Sequence, residues 1–232
     1  MWFRRFLLID DRQGWRERAR ESIVDLNDGI VSAAGIAEGF AAAGASTRAL
    51  VFAGATVVLT GGFAAAASRY SEERTEWEMH HRMIEAERAS IEADPVGELE
   101  ELVSAYEAKG LEAGLARQVA AALTARDPVA AHADAELDLE SIPPARANVY
   151  AALSAGLFYA LGAAVPLVSI RWLPKRERSE LAFVPVLLAL GLTGWFAAWV
   201  TRLPAARMVV RNLVLGACAM TAGLIIGHAV AL

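Results

Sequence analysis

Acidic and imidazole side chains recur at helical spacing in the middle of the chain. Glu76, His80, Met83 and Glu87 are separated by four, three and four residues, which places them on one face of a helix. Carboxylate and imidazole groups suit Fe²⁺, Mn²⁺, Co²⁺ or Zn²⁺ better than Cu⁺, which prefers thiolate and thioether sulfur. This face is therefore a candidate metal-binding surface.

Two further pairs of such residues follow along the chain. Glu98 and Glu101 are three residues apart, and His132 and Glu136 are four residues apart. Helical bundles build metal sites from inward-facing carboxylates on facing helices, although a single acidic pair on a helix is more often a solvated surface. Because three segments each offer a pair, we predict a metal site formed by Glu76, His80, Glu87, Glu98, Glu101, His132 and Glu136.

Two carboxylates lie within an otherwise apolar stretch near the N-terminus. Asp28 follows Leu26 and Asn27, and Glu38 is flanked by Ala37 and Gly39. A charged side chain at the centre of a bilayer costs about 2.5–3.5 kcal/mol on insertion scales, so such residues tend to face a pathway or a partner. We predict that Asp28 and Glu38 line a transport pathway. The structural alternatives are a helix N-cap for Asp28 and an interhelical hydrogen bond for Glu38.

The elements that position these groups are predicted from composition. The chain is 56% hydrophobic, its mean hydropathy is +0.36, and its apolar residues concentrate in 26–70 and 148–232. About 20 apolar residues are needed to cross a bilayer as a helix. We predict an all-α membrane protein with five transmembrane helices and a soluble helical metal-binding insert between the second and third. The predicted transmembrane helices are 26–45, 49–67, 149–170, 181–200 and 208–232.

The predicted domains differ sharply in charge. Residues 71–140 hold 18 of the 27 acidic residues but only six of the 22 basic ones, so this stretch has a net charge of −12. An anionic module attracts cations and repels nucleic acid. We divide the chain into an interfacial amphipathic segment (1–25), a transmembrane hairpin (26–70), the acidic insert (71–147) and the last three transmembrane helices (148–232).

Arginines and aromatic residues alternate before the first predicted transmembrane helix, as is typical of a segment in the lipid headgroup layer. The six arginines there favour a cytoplasmic N-terminus, and the first hairpin then places the insert on the same side. We expect a multi-pass protein in contact with membrane lipid, in the inner membrane if the source is bacterial.

Turn residues predict four helices in the polar segment. Pro95 interrupts a long charged helix over 68–94, and Lys109-Gly110 is a typical helix end. Further helices are predicted over 97–108, 111–125 and 129–139. An enzyme is not expected, because the chain shows no nucleotide-binding loop, no HExxH motif and no nucleophile–base pair.

The chain resembles the vacuolar iron transporter family, including its bacterial members. The matching segments are LNDGIVSAAGIAEGFAAAG (26–44), the acidic stretch 93–140 and GAAVPLV (162–168). The resemblance implies a homodimer of five-helix subunits with a transport path between them. It also implies that Fe²⁺ or Mn²⁺ leaves the cytosol in exchange for protons, and that the insert binds metal through glutamates.

The resemblance assigns roles to individual positions. It matches Asp28 to the family's acidic residue of the first transmembrane helix, and Glu87, Glu98, Glu101 and Glu136 to glutamates of the insert.

This sequence also departs from the family pattern. Ala65 stands where many members have a methionine that helps to hold metal, and Ser90 replaces a glutamate. His132 and Ala133 replace methionines of some members, and Glu38 lies where many members are apolar. Oxygen ligands in the pathway favour Mn²⁺ or Fe²⁺ without deciding between them, and Zn²⁺ and Co²⁺ remain alternatives.

Two functions are compatible with these residues. The first is a divalent-metal transporter that removes Fe²⁺ or Mn²⁺ from the cytosol by proton antiport, with the insert collecting the metal. The second is a membrane-anchored metal sensor or interaction protein without transport, which the loss of the methionine at Ala65 favours.

Overall fold

The computed structural model describes residues 14–136, 145–172 and 183–231, with the side chains of 136 and 170–172 left out. The described residues form eight helices and are otherwise turns and short connections. The helices are α1 (Gly14–Ala42), α2 (Thr47–Ala93), α3 (Pro95–Ala108), α4 (Ala113–Arg126), α5 (Pro128–Glu136), α6 (Arg146–Trp172), α7 (Phe183–Thr201) and α8 (Ala205–Ala231). The fold is thus all-helical in the part that the structure describes.

The chain divides into two compact units. One comprises the described residues of Met1–Tyr70 and Tyr150–Leu232, and the other comprises those of Ser71–Val149. We call them the apolar unit and the acidic unit. Helix α2 contributes its first half to the apolar unit and its second half to the acidic unit.

Four helices among the described residues are long and apolar enough to cross a membrane. They are α2, α6, α7 and α8, with mean hydropathies of 1.8 to 2.0 over their most apolar stretches. The protein is therefore an all-helical integral membrane protein. Helix α1 is not among these four, because Asn27, Asp28 and Glu38 lower the mean hydropathy of its apolar stretch. The fifth transmembrane helix stays a prediction.

The core of the apolar unit joins α1 to α7 and α8. Ile30 and Ala34 of α1 pack with Val186 and Leu190 of α7 and with Met220 of α8, and all five are buried. Many of the other large apolar side chains, such as Phe52 and Phe63 at 75% and 77% exposed, lie on the outer surface, as expected for helices that face lipid.

Glycines set the distance between α1 and α8. A Cβ added to Gly223 would overlap the carbonyl oxygen of Gly35 and lie 2.9 Å from its carbonyl carbon. A Cβ added to Gly227 would likewise overlap the carbonyl oxygen of Gly39. Small residues of this kind let membrane helices approach backbone to backbone.

Local turn chemistry explains the helix boundaries of the acidic unit. Asp94 caps α3 by accepting a hydrogen bond from Gly97 N at 2.9 Å, and Pro95 occupies the first turn of the helix, where its missing N–H is tolerated. Gly110 adopts φ +98° after α3 ends, a left-handed conformation that glycine adopts without strain. Asp127 similarly accepts from Ala130 N at the start of α5.

The observed helices differ from the predicted ones in two places. The predicted second transmembrane helix and the first insert helix are one continuous helix, α2, because no helix-breaking residue separates them. Helix α1 begins at Gly14, within the predicted interfacial segment. Residues 1–13 of that segment, 137–139 of the last insert helix and the connection 173–182 lie outside the described residues.

The glycine contact between α1 and α8 gives a stability prediction. We expect Gly223→Ala to lower the free energy of unfolding by about 1–3 kcal/mol, the usual cost of overpacking, because its Cβ would meet the backbone of Gly35. The measurement is the midpoint of thermal unfolding in detergent, followed by tryptophan fluorescence.

Gly191→Ala in α7 is the matched control for this substitution. Apart from its chain neighbours and the adjacent backbone of α7, no atom of the described residues lies within 4 Å of a Cβ at Gly191. We therefore expect a neutral or slightly stabilising effect from the better helix propensity of alanine. Equal midpoints for the two variants would contradict the proposed close packing.

Candidate metal centre in the acidic unit

Helices α3, α4 and α5 pack around a small apolar core in the acidic unit. Its buried members are Leu102, Val103, Ala116, Ala120, Ala131 and Ala135. Four of the six are alanines, so the helices can approach closely and side chains at the edge of the core are enclosed. His132 lies between two of these core positions and is only 1% exposed.

Three of the predicted metal ligands converge beside this core. They are Glu87 of α2, Glu98 of α3 and His132 of α5, and one ligand atom of each lies within 4.8 Å of the others. His132 Nδ1 is 2.9 Å from Glu87 Oε1 and 3.9 Å from Glu98 Oε2. The side chains of Glu87 and Glu98 are 15% and 17% exposed, so the triad is largely shielded from water.

The turn between α2 and α3 brings Glu98 back to Glu87. Without that turn, their separation of 11 positions in the sequence would place the two about 16 Å apart along one helix. Because Asp94 and Pro95 end α2 and start α3 in a new direction, both carboxylates reach the same imidazole. Helix α5 then supplies His132 from a position 34 residues after Glu98.

The chemistry of the triad fits a divalent transition metal. Two carboxylates and one imidazole are ligands that Mn²⁺, Fe²⁺, Co²⁺ and Zn²⁺ accept, and they lack the sulfur that favours Cu⁺. Three protein ligands also leave coordination positions for water or for another ligand. The two carboxylates lie close together in a partly buried place, where a bound cation reduces their mutual repulsion.

One neighbouring glutamate is held by a different partner. Glu100 receives two hydrogen bonds from the Arg117 guanidinium, at 2.6 and 2.5 Å. These bonds lower the pKa of Glu100 and hold its carboxylate against α4. Glu100 is therefore an ion-pair residue on the surface and not a ligand of the triad.

The other predicted ligands of the acidic unit lie elsewhere. Glu76 and His80 face an open groove along α2, lined by Ser71, Glu72, Thr75, Glu76, Met79 and His80, and they are not part of the triad. Glu101 is exposed on α3. Glu136 ends α5, but its side chain lies outside the described ones.

The two carboxylates predicted for the pathway have different environments in the apolar unit. Asp28 is exposed on the surface of the single chain. Glu38 is 5% exposed and sits between Gly35 and Gly39, the glycines of α1 that contact α8. Among the described residues, no hydrogen bond or ion pair to Glu38 is found.

Sequence reasoning missed two polar contacts of the apolar unit. Arg69 of α2 pairs with Glu21 and Asp25 of α1, at 3.4 and 3.6 Å. The sequence signal for these ion pairs was an arginine at the end of the apolar part of α2, together with two acidic residues one turn apart in α1. The other contact joins Asn27, Thr193 and Asn212, and no sequence pattern pointed to it.

The geometry described so far defines an integral membrane protein with a carboxylate–imidazole centre in a polar helical unit. Comparison with known proteins is consistent with this description. Residues 19–228 match the model of the VIT family.

Two relatives are similar over most of the chain. A vacuolar iron transporter of Acanthamoeba castellanii is 31% identical over 187 residues, which cover 80% of this chain and 67% of the relative. Vacuolar iron transporter 1 of Eucalyptus grandis is 26% identical over 211 residues, covering 89% of this chain and 84% of the relative. The chain belongs to the VIT family, which confirms the resemblance seen in the sequence.

The triad predicts different roles for the two histidines of the acidic unit. We expect His132→Ala to weaken Mn²⁺ binding by the full-length protein in detergent by at least about tenfold, or about 1.4 kcal/mol, because one of three ligands is lost. Isothermal titration calorimetry measures the change.

His80→Ala is the control, because His80 lies on the open groove of α2 and outside the triad. We expect its affinity for Mn²⁺ to stay close to that of the unchanged protein. A larger loss from His80→Ala than from His132→Ala would show that the metal binds along α2 instead.

Proposed function

We propose that this protein transports Fe²⁺ or Mn²⁺ out of the cytosol, and that the acidic unit collects the ion first. The observation that carries the proposal is the convergence of Glu87, Glu98 and His132 into one shielded cluster. Membership of the VIT family supports it, as do the relatives named vacuolar iron transporters.

The ligand set supports an ion that accepts oxygen and nitrogen donors. In the proposed site, Glu87 and Glu98 supply charge, and His132 supplies a neutral nitrogen donor. His132 stands where some family members have a methionine, and imidazole in place of that thioether shifts the metal preference of the site away from soft ions. Mn²⁺ and Fe²⁺ are therefore the main candidates, with Zn²⁺ and Co²⁺ as alternatives.

Asp28 and Glu38 are the proposed pathway residues of the membrane part. Asp28 is exposed although the stretch of α1 that follows it, 29–37, is mostly apolar. An ionised carboxylate is costly against lipid, so an exposed one should face water or another subunit. This supports a homodimer in which the α1 helices of two copies line the path.

Proton antiport follows from the ligand chemistry. A carboxylate or imidazole that binds a metal must be deprotonated, and protons therefore compete with the metal for the same groups. A higher proton concentration on the far side then favours release of the ion there. We propose that this competition couples the two fluxes.

The proposed arrangement in the membrane keeps five transmembrane helices, with the N-terminus and the acidic unit in the cytoplasm. Arginines before the first transmembrane helix support this orientation. In a bacterium the corresponding location is the inner membrane.

A second candidate function is a membrane-anchored metal sensor that does not transport. Ala65, where many family members have a metal-holding methionine, favours it because the pathway then has fewer ligands. In that case, cells lacking the gene accumulate no more metal than wild-type cells, whereas loss of an exporter raises their metal content.

Transport by reconstituted protein tests the main proposal. We expect Mn²⁺ uptake into inverted vesicles with an acidic interior, and a nearly complete loss of this uptake in Asp28→Asn, because the amide removes the charge that attracts the ion. The measurement is uptake of radioactive Mn²⁺ with and without an imposed pH gradient.

A double variant sharpens this experiment. Unchanged uptake after replacing both Asp28 by Asn and Glu38 by Gln would rule out the proposed pathway. Glu100→Gln is the matched control, since Glu100 is a surface residue paired with Arg117, and we expect its uptake to match that of the unchanged protein.

A further inference from the structure

Three consecutive residues of α1 point in three directions. Successive side chains of a helix are about 100° apart, so Asn27, Asp28 and Gly29 face different neighbours. Asn27 accepts a hydrogen bond from Thr193 of α7, which in turn accepts one from Asn212 of α8. Gly29 meets the backbone of α6. Asp28 lies between these two directions and is exposed.

The contact on the Asn27 side is a chain of hydrogen bonds across three helices. The Thr193 hydroxyl of α7 donates to Asn27 Oδ1 at 2.5 Å and accepts from Asn212 Nδ2 of α8 at 3.4 Å. Asn212 Nδ2 also lies 3.5 Å from the carbonyl oxygen of Leu190. Asn212 is 4% exposed, and a buried amide in an apolar unit is costly without such partners.

The contact on the Gly29 side is steric. A Cβ at Gly29 would overlap the carbonyl oxygen of Tyr159 and lie 2.8 Å from Ala163 N. The fit is reciprocal, because a Cβ at Gly162 of α6 would lie 2.9 Å from the carbonyl carbon of Leu26 and 3.1 Å from Ile30 N. Helix α1 therefore has no room to rotate toward α6.

We infer that Thr193 and Asn212 are positioning residues that fix the rotation of α1 and thereby present Asp28 to the metal. They act through Asn27, the residue next to Asp28 in the chain. This inference rests on the proposed function of Asp28. Rotating α1 enough to turn Asp28 away would break the hydrogen bond to Asn27. It would also bring a residue with a Cβ to the α6 contact, where only glycine fits.

Thiol labelling tests the orientation without relying on transport. Cys218 is the single cysteine of the chain, so Cys218→Ser gives a cysteine-free background. In that background, Asp28→Cys should react faster with a small charged thiol reagent than Ala34→Cys, since Ala34 is 2% exposed. Adding Thr193→Val should lower this ratio of rates by roughly three- to tenfold, because the free energy of one interhelical hydrogen bond corresponds to a factor of about this size.

Two matched variants accompany Thr193→Val. Thr193→Ser keeps the hydroxyl and should preserve the ratio. Thr201→Val removes a hydroxyl of the same helix that bonds only to the Ala197 carbonyl among its described partners, and it should also preserve the ratio. Asn212→Leu, which breaks the chain of hydrogen bonds from α8, should lower the ratio as Thr193→Val does.

An unchanged ratio in both Thr193→Val and Asn212→Leu would overturn the inference, as would equal labelling at positions 28 and 34 before either change. Transport supplies a second readout in the protein that retains Asp28. There, Thr193→Val should raise the KM for Mn²⁺ by a similar factor and leave the maximal rate nearly unchanged, and an unchanged KM would also overturn the inference. If the unchanged protein moves no metal but the ratios respond as expected, the transport proposal fails and the orientation of α1 stands.

Discussion

Helix α1 can approach α6 and α8 only because glycines stand at the contacts. Gly29 and Gly162 meet the backbone across the α1–α6 contact, and Gly35 and Gly223 do so across the α1–α8 contact. In lipid there is no hydrophobic drive between apolar helices, so this close packing and the interhelical hydrogen bonds must supply the association energy. These contacts restrict the rotation of α1, along which Asp28 is exposed and Glu38 is buried.

The acidic unit meets a different constraint, because it brings like charges close together. Glu87 and Glu98 both lie near His132 Nδ1, and two carboxylates this close repel each other when both are ionised. A small alanine-rich core fixes the helices despite this repulsion. Elsewhere in the unit, arginines offset acidic charge, as Arg117 does for Glu100. Glu87 and Glu98 lie instead beside the imidazole of His132, and an imidazole can also bind metals.

Helix ends could be predicted from the sequence, whereas which of the candidate ligands converge could not. Asp94-Pro95 and Lys109-Gly110 act through local backbone chemistry, so the ends that they set were predicted within two residues. The boundary predicted after residue 67 was wrong, because a change in composition does not end a helix that lacks a breaking residue. Seven metal ligands were predicted, and three of the six whose side chains the structure describes converge. Glu76 lies on the same helix face as Glu87 but about 16 Å away along the axis, and only the turn after α2 decides which of them meets Glu98.

The contact between Asn27 and Thr193 shows why contacts between the helices could not be predicted from the sequence. These residues are 166 positions apart, and each is an ordinary polar residue in its own segment. Their pairing depends on how α1 and α7 are rotated relative to each other. A pattern within one helix contains no information about that rotation. Glu38 could be recognised by its charge, but its burial beside Gly35 and Gly39 depends equally on where α8 lies.

The small number of protein ligands in the triad has a consequence for the time that an ion spends there. A site with a full set of protein donors holds its metal for long periods, since several bonds must break together. A metal held by Glu87, Glu98 and His132 alone would leave part of its coordination shell to solvent, and incoming groups could replace water one at a time. The proposed centre would therefore exchange its ion quickly and buffer the local supply, as the proposed transport requires.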